Sequence, residues 1–265
     1  MKKSERPVSK YHVPALEKGL DILETLASSA VPQSLSKLAR SLHRSSSELF
    51  RMLDSLERRG YILKDVVSGN YRLSLKLYEL AHTHSPVEQL LSAAAKPMRD
   101  VAERLRESCH LSVLSRGQVV VLAQEESPDK VRLSVEVGAR FSAIHTVSGR
   151  LLLAQLETGH LDDLLAADSE YQDLSKTQQK QLMADLKEIR QKGVSTAVNE
   201  TLVGVQDFAV LVGNPKVGIM AALAATAWMG PAKEISVQKL QSALLECAET
   251  ISKSIGLTPN EIALL

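Results

Sequence analysis

The chain has 265 residues, 44% of them hydrophobic, enough for two modest buried cores or one large one. No apolar run approaches the ~20 residues that cross a bilayer, and the basic start MKKSERPVSKYH lacks a signal peptide's hydrophobic segment, so a cytoplasmic protein with no membrane partner is expected. Only Cys109 and Cys247 are present, without Cys-x-x-Cys or His-rich spacing, which argues against a disulfide framework or zinc site; two buried thiols, no metal and no cofactor are expected.

The net charge of +1 conceals an imbalance: residues 1–80 carry 14 Lys/Arg against 9 Asp/Glu, and residues 81–265 carry 18 against 22. A basic N-terminal third suits a polyanion partner, although such a surplus also occurs in domains that touch nothing charged. The first helical pattern, VPALEKGLDILETLASS, spaces Leu16, Leu20, Leu23 and Ala27 by three and four, with Pro14 near its start. After VPQ, Ser34 can cap a second helix, LSKLARSL, striped by Leu35, Leu38, Ala39 and Leu42 and ended by His43 and Arg44.

Ser45 and Glu48 have the S-x-x-E spacing of a capping box, so a third helix starts there. Leu49, Met52, Leu53 and Leu56 form its buried stripe, and Ser47, Arg51, Asp54 and Arg58 its opposite face. Gly60 closes it, and YILKDVVSGNYRLS reads as a hairpin with a tight turn at SGN. Three short helices and a hairpin are the element order of a winged helix-turn-helix.

A helix whose first turn is small and polar can press its free N–H groups and hydroxyls against a phosphate or into a major groove. Arg51 is the residue able to grip a guanine edge, and Asn70 and Arg72 sit on the wing. The plainer reading is that Ser45 and Glu48 serve only as caps, and that Arg58, Arg59 and Lys64 are a solvated face.

From Leu77 to Ser108 the pattern is helical, interrupted by HTHSP and by Pro97, as in a connector. His82 and His84 are two apart, the wrong spacing for one helix face and for a metal site. Strands are then expected at HLSVLS, QVVVLAQEE and VRLSVEV, helices from TVSGRLLLAQL to Lys192, strands at VSTAVN, VQDFAVLVGN and GIMAALAATAW, and a last helix AKEISVQKLQSALLECAETISKSI. That is an α/β domain with a mainly antiparallel sheet flanked by helices.

In order and spacing these segments resemble the IclR family of bacterial transcriptional regulators over nearly the whole chain. ALEKGLDILETLA looks like the family's first helix; QSLSKLA and FRMLDSLERRGY echo its LSLSxLA and xxRLLxxLExxGY; GNYRLSLKLYEL echoes GxYRLSxKLxEL; and SVEVGARFSAIHTVSGRLLLA sits where the family has VGxRxPLHxTAxGKAxLA. The resemblance implies a flexible basic terminus (1–12), a winged helix-turn-helix domain (13–76), a connector (77–97), a GAF-like α/β effector-binding domain (98–257) and a tail (258–265). It implies a homodimer or dimer of dimers that binds palindromic double-stranded DNA and responds to a small molecule, often an organic or aromatic acid.

Carried over residue by residue, Ser46, Ser47, Phe50 and Arg51 meet bases, flanked by Lys37, Arg44 and Ser45, with Asn70 and Arg72 in the wing. The effector pocket takes His145, Thr146, Val147, Ser148, Gly149, Ala197, Val205, Asp207, Ala225 and Ala227. Departures stand out. His43 replaces the turn's glycine and Arg44-Ser45 an apolar-Pro pair, which points to a wider turn; Ala197 replaces an acid, Asp207 a cysteine, and Ala225 and Ala227 lack hydroxyls.

Thr146, Ser148 and Gly149 lie just before the helix RLLLAQL, whose first-turn N–H groups can serve a carboxylate; the plainer reading is that Ser148 and Gly149 only cap that helix. A buried Asp207 would meet a cationic or hydroxylic ligand group, pair with a group such as His145, become protonated, or bind backbone N–H groups. Ala15, Leu16 and Leu20 either make dimer contacts or complete the winged core. Catalysis is not expected: Cys109 and His110 are strand neighbours pointing to opposite faces, and no HExxH, G-x-S-x-G or phosphate-binding loop is present. A DNA-binding regulator whose second domain only oligomerises is the alternative, and a conformational signal through 77–97 is the expected coupling.

Overall fold

The structure, a computed structural model, describes residues 13–82, 86–215, 218–229 and 237–258. The expected flexible terminus 1–12, His84, the start of the last predicted helix and most of the tail lie outside the described residues. Two compact units divide the chain, Met1–Ser85 and Pro86–Leu265.

In the first unit, α1 (Pro14–Ala27), α2 (Leu35–Ser41) and α3 (Ser46–Arg58) precede β1 (Ile62–Lys64), β2 (Tyr71–Leu73) and α4 (Lys76–His82). Ile22 and Leu26 of α1 pack with Leu38, Leu49, Leu53, Ile62 and Tyr71 as one core. The stripe read from the sequence is therefore not the inward one: Leu16 and Leu20 are 60% and 42% exposed, and of that set only Leu23 touches the core. Apolar residues lie on two sides of α1, and spacing alone does not say which side turns in.

Ser34 Oγ caps α2 by accepting the Lys37 N–H, and Ser45 Oγ caps α3 by accepting the Glu48 N–H, each at 3.3 Å. Between them the turn is residues 42–45, and His43 enters the left-handed region (φ 53°) that glycine favours. The turn thus keeps the usual three-to-four-residue length; the expected widening does not occur.

β1 and β2 pair antiparallel, Ile62 opposite Leu73 and Lys64 opposite Tyr71. Their connection is the six residues 65–70, longer than the tight SGN turn expected, because Asp65 organises it: its Oδ1 accepts both the N–H and the hydroxyl of Ser68, each at 2.7 Å. Gln33, ahead of α2, exchanges both backbone hydrogen bonds with Tyr71 at 2.8 Å and fastens the hairpin to the helices.

The second unit opens with α5 (Pro86–Leu105), which runs unbroken through Pro97. Pro97 does not interrupt it as expected, because Leu90, Ala94, Met98, Val101 and Leu105, buried against α10 (Val237–Ser254), hold the helix together across the lost N–H. β3 (Cys109–Ser115), β4 (Gln118–Glu125), β5 (Arg140–Ser142), β6 (Val194–Val198), β7 (Val205–Asn214) and β8 (Ile219–Trp228) form one antiparallel sheet in the order β5-β4-β3-β8-β7-β6.

The strand expected at VRLSVEV is absent; residues 131–137 are irregular, and Gln124 Oε1 accepts the Val135 N–H at 2.7 Å in place of a ladder bond. Its alternation failed as a signal because Val131 and Val137 remain 86% and 64% exposed, so no partner sheet face fixes it. Along β7, Phe208, Val210 and Val212 face α5 and α10, while Ala209 and Leu211 face α6 (Val147–Ala154). α7 (Thr158–Ala167), α8 (Ser169–Asp173) and α9 (Lys176–Lys192) complete the cover on the α6 side.

Candidate DNA-reading face and effector site

The nose of α3 is bare. Ser46, Ser47 and Arg51 are exposed, Phe50 is 53% exposed, and Lys37, Arg44 and Arg72 are also exposed, with Asn70 half-buried. Glu48 completes only half of the expected capping box: its backbone N–H goes to Ser45, but its carboxylate is ion-paired with Lys18 of α1, which holds it below the usual carboxylate range. The one acid in the first turn is thus spent on scaffolding, and the outward surface there is neutral hydroxyls, one aromatic ring and cations. The exposure of these positions is legible in the helical pattern, whereas Lys18 is not, because its contact depends on a helix crossing that no local pattern encodes.

In the second unit Asp207 is 5% exposed, and both carboxylate oxygens are satisfied by side-chain hydroxyls. Thr226 Oγ1 donates to Oδ1 at 2.7 Å, and Thr201 Oγ1 donates to Oδ2 at 2.6 Å. Neither His145 nor backbone N–H groups fill this role; His145 is exposed and lies 3.9 Å from Glu170. Thr226 stands opposite Asp207 in the β7–β8 register, Ala197 flanks it on β6, and Val205 is two residues along the same face.

His110, opposite Ala224 on β3, shares that face. Burial pushes its imidazole down to about 4 against the pull of the Asp207 carboxylate, so it is neutral near pH 7. Ala225 and Ala227 do not join the group. Both lie in the α5–α10 core, because Ala225 pairs with inward-facing Phe208. Ala224 and Thr226, of the opposite parity on β8, stand opposite Ala209 and Asp207 and take their place.

α6 closes the site from above, with Val147 and Ser148 buried against the sheet. Thr146 Oγ1 accepts the Gly149 N–H at 3.1 Å and donates to Ser142 O at 2.9 Å, leaving the N–H groups of Val147 and Ser148 as the first-turn donors. Gly149 rests directly on the chain at Ala143: a Cβ there would lie 2.2 Å from the Ala143 carbonyl oxygen. Thr201, Thr226 and His110 were missed in the sequence, since only strand pairing brings them beside Asp207.

Comparison with known proteins accounts for both units. The sequence profile described as the bacterial transcriptional regulator IclR C-terminal domain matches residues 84–253, and that of the IclR helix-turn-helix domain matches residues 15–66. The chain belongs to the IclR family.

The IclR-type relatives are regulators of transcription, not enzymes. The glycerol operon regulatory protein of Streptomyces coelicolor is 26% identical over 92% of this chain and 97% of its own, and the transcriptional regulator XynR of Escherichia coli is 23% identical over 92% and 98%. Among solved structures, an IclR homolog from Microbacterium hydrocarbonoxydans, complexed with 4-hydroxybenzoate, superposes with a TM-score of 0.74 at 23% identity, over 91% of this chain and 98% of that one. Consistent with a non-catalytic IclR C-terminal domain, burial pushes both thiols up to about 12, and Cys109 faces the α5–α10 core while His110 faces the opposite side.

Proposed function

We propose that this IclR-family chain is a cytoplasmic, homo-oligomeric regulator that reads a palindromic double-stranded operator with Ser46, Ser47, Phe50 and Arg51 and holds the flanks with Lys37, Arg44, Ser45, Asn70 and Arg72. The observation that carries this reading is the bare α3 nose, whose only first-turn acid is withdrawn to Lys18. The exposed Leu16 and Leu20 of α1 supply an apolar surface for the second copy.

The effector binds between α6 and the β7–β8 face and changes the separation of the two recognition helices through residues 77–97. Its carboxylate is met by the Val147 and Ser148 N–H groups, and a hydroxyl on it donates to Asp207, whose oxygens each retain acceptor capacity beside the threonine bonds. A hydroxylated organic or aromatic acid combines both features, and 4-hydroxybenzoate in the Microbacterium hydrocarbonoxydans homolog is of that kind.

The test is selection of duplexes from a random pool by the wild type, followed by binding isotherms across a salt series. Arg51→Ala should lose discrimination at one base pair of each half-site, worth about 1–3 kcal/mol, while non-specific binding survives. Uniform weakening across all sequences would instead make Arg51 a phosphate contact. A panel of acids with and without hydroxyls, 4-hydroxybenzoate and benzoate among them, then tests the effector half. No change of operator affinity with any of them would favour a C-terminal unit that only oligomerises.

A further inference from the structure

Two of the most exposed apolar side chains in the described residues are Val66 and Val67, 98% and 96% exposed at the tip of the wing. They are not on a loose loop. The Asp65 N–H donates to Asn70 O and the Gly69 N–H to Asp65 O, each at 2.8 Å, and the Asp65 carboxylate binds Ser68 twice. The Asp65–Ser68 bonds and the backbone bonds of Asp65 and Gly69 brace the loop, and two stiff β-branched side chains are left projecting from it. On each side of this tip the hairpin carries a cation: Lys64, whose ammonium lies 5.6 Å from the centre of the Tyr71 ring, and Arg72.

An apolar point with basic shoulders on a rigid two-stranded ribbon is the form of a minor-groove wedge: the cations meet the phosphate walls, and the apolar side chains press on sugars and base edges, opening a deformable step. We propose that Val66 and Val67 enter the minor groove beside each operator half-site and bend the duplex there. This rests on the DNA-binding reading above and extends it, because it assigns part of operator affinity to residues that form neither hydrogen bonds nor ion pairs. Pyrimidine–purine steps, the easiest to unstack, would be preferred where the tip lands.

Because the contact releases no counterions, affinity and salt dependence separate. Val66→Ser/Val67→Ser, compared with wild type on the wild type's selected duplex, should bind roughly tenfold or more weakly with an unchanged slope of log K against log salt. Arg72→Ala, the control, should reduce that slope by about 0.9. A 2-aminopurine scanned through the flanking steps should brighten at one step with wild type and stay quenched with the double variant, and bending by circular-permutation gel shift should fall with it.

Equal affinity, bending and 2-aminopurine emission for wild type and double variant would overturn the wedge while leaving DNA binding intact. Failure of the wild type to select any duplex would overturn the DNA-binding reading itself. Both valines are exposed, so thermal midpoints should match; a changed sedimentation coefficient in the double variant would place the tip against a second copy and overturn the assignment.

Discussion

Replacing Gly149 by alanine tests the architecture of the effector site at its tightest point. The added Cβ would lie 2.2, 2.4 and 2.6 Å from the carbonyl oxygen, Cα and carbonyl carbon of Ala143, all backbone atoms that no rotamer change can move aside. Ordinary contact needs roughly 1 Å more, so α6 or the Ala143 strand end must shift bodily within a region where Ala143, Leu151, Leu152 and Leu153 are fully buried. Overpacking of this kind costs about 3 kcal/mol, and the better helix propensity of alanine returns about 1 kcal/mol, leaving about 2 kcal/mol of net destabilisation.

For a unit of this size that is a fall in thermal midpoint of roughly 4–8 °C. The sole tryptophan, Trp228, lies at the end of β8 in the same unit, so its emission follows this transition without a label. Urea titration of Gly149→Ala against wild type by Trp228 fluorescence gives the same quantity independently. A midpoint equal to or above wild type would refute the close approach, because helix propensity alone predicts a gain.

Two further outcomes follow from the sites. His110 has a folded pKa of about 4 against 6.5 for the free side chain, so the unfolded state binds the proton first as pH falls, and stability drops between about pH 6.5 and 4 by up to roughly 3 kcal/mol. His110→Gln should remove that portion of the acid sensitivity; an identical pH–stability profile for variant and wild type would show that His110 is not held neutral by burial. Ser45→Ala should lower the stability of the winged unit by about 1 kcal/mol through loss of the α3 cap, whereas Ser46→Ala should leave stability unchanged and weaken operator binding. Matching effects in the two variants would erase the distinction between the capping serine and the reading serine.

Much of this was legible in the residue pattern because it is set locally. Ser34 and Ser45 cap where their spacing places them, and the long apolar-rich runs of β7 and β8 are strands as read. What escaped was set by partners distant in sequence. Ala225 and Ala227 enter the expected site through the family resemblance, and β8, almost wholly small and apolar, gives no clue of its own to which parity faces α6; the pairing with Phe208 decides it. Pro97 looked like a break because its cost is local and its compensation, packing on α10, is not. The same holds for Glu48, whose partner Lys18 lies in α1 with the whole of α2 between them in the chain.

That last contact bears on how such a protein can change its target. Of the residues that fix where α3 sits, Leu49 and Leu53 are buried in the core and Glu48 is drawn to Lys18, away from the surface that would read DNA, and only the capping Ser45 borders that surface. Positions 46, 50 and 51 carry none of that structural duty, and Ser47 shares only a hydroxyl contact with Ser45 at 3.3 Å. Substitutions there are free to drift without loosening the fold, so a duplicated gene can acquire a new address on the chromosome while inheriting an unaltered scaffold.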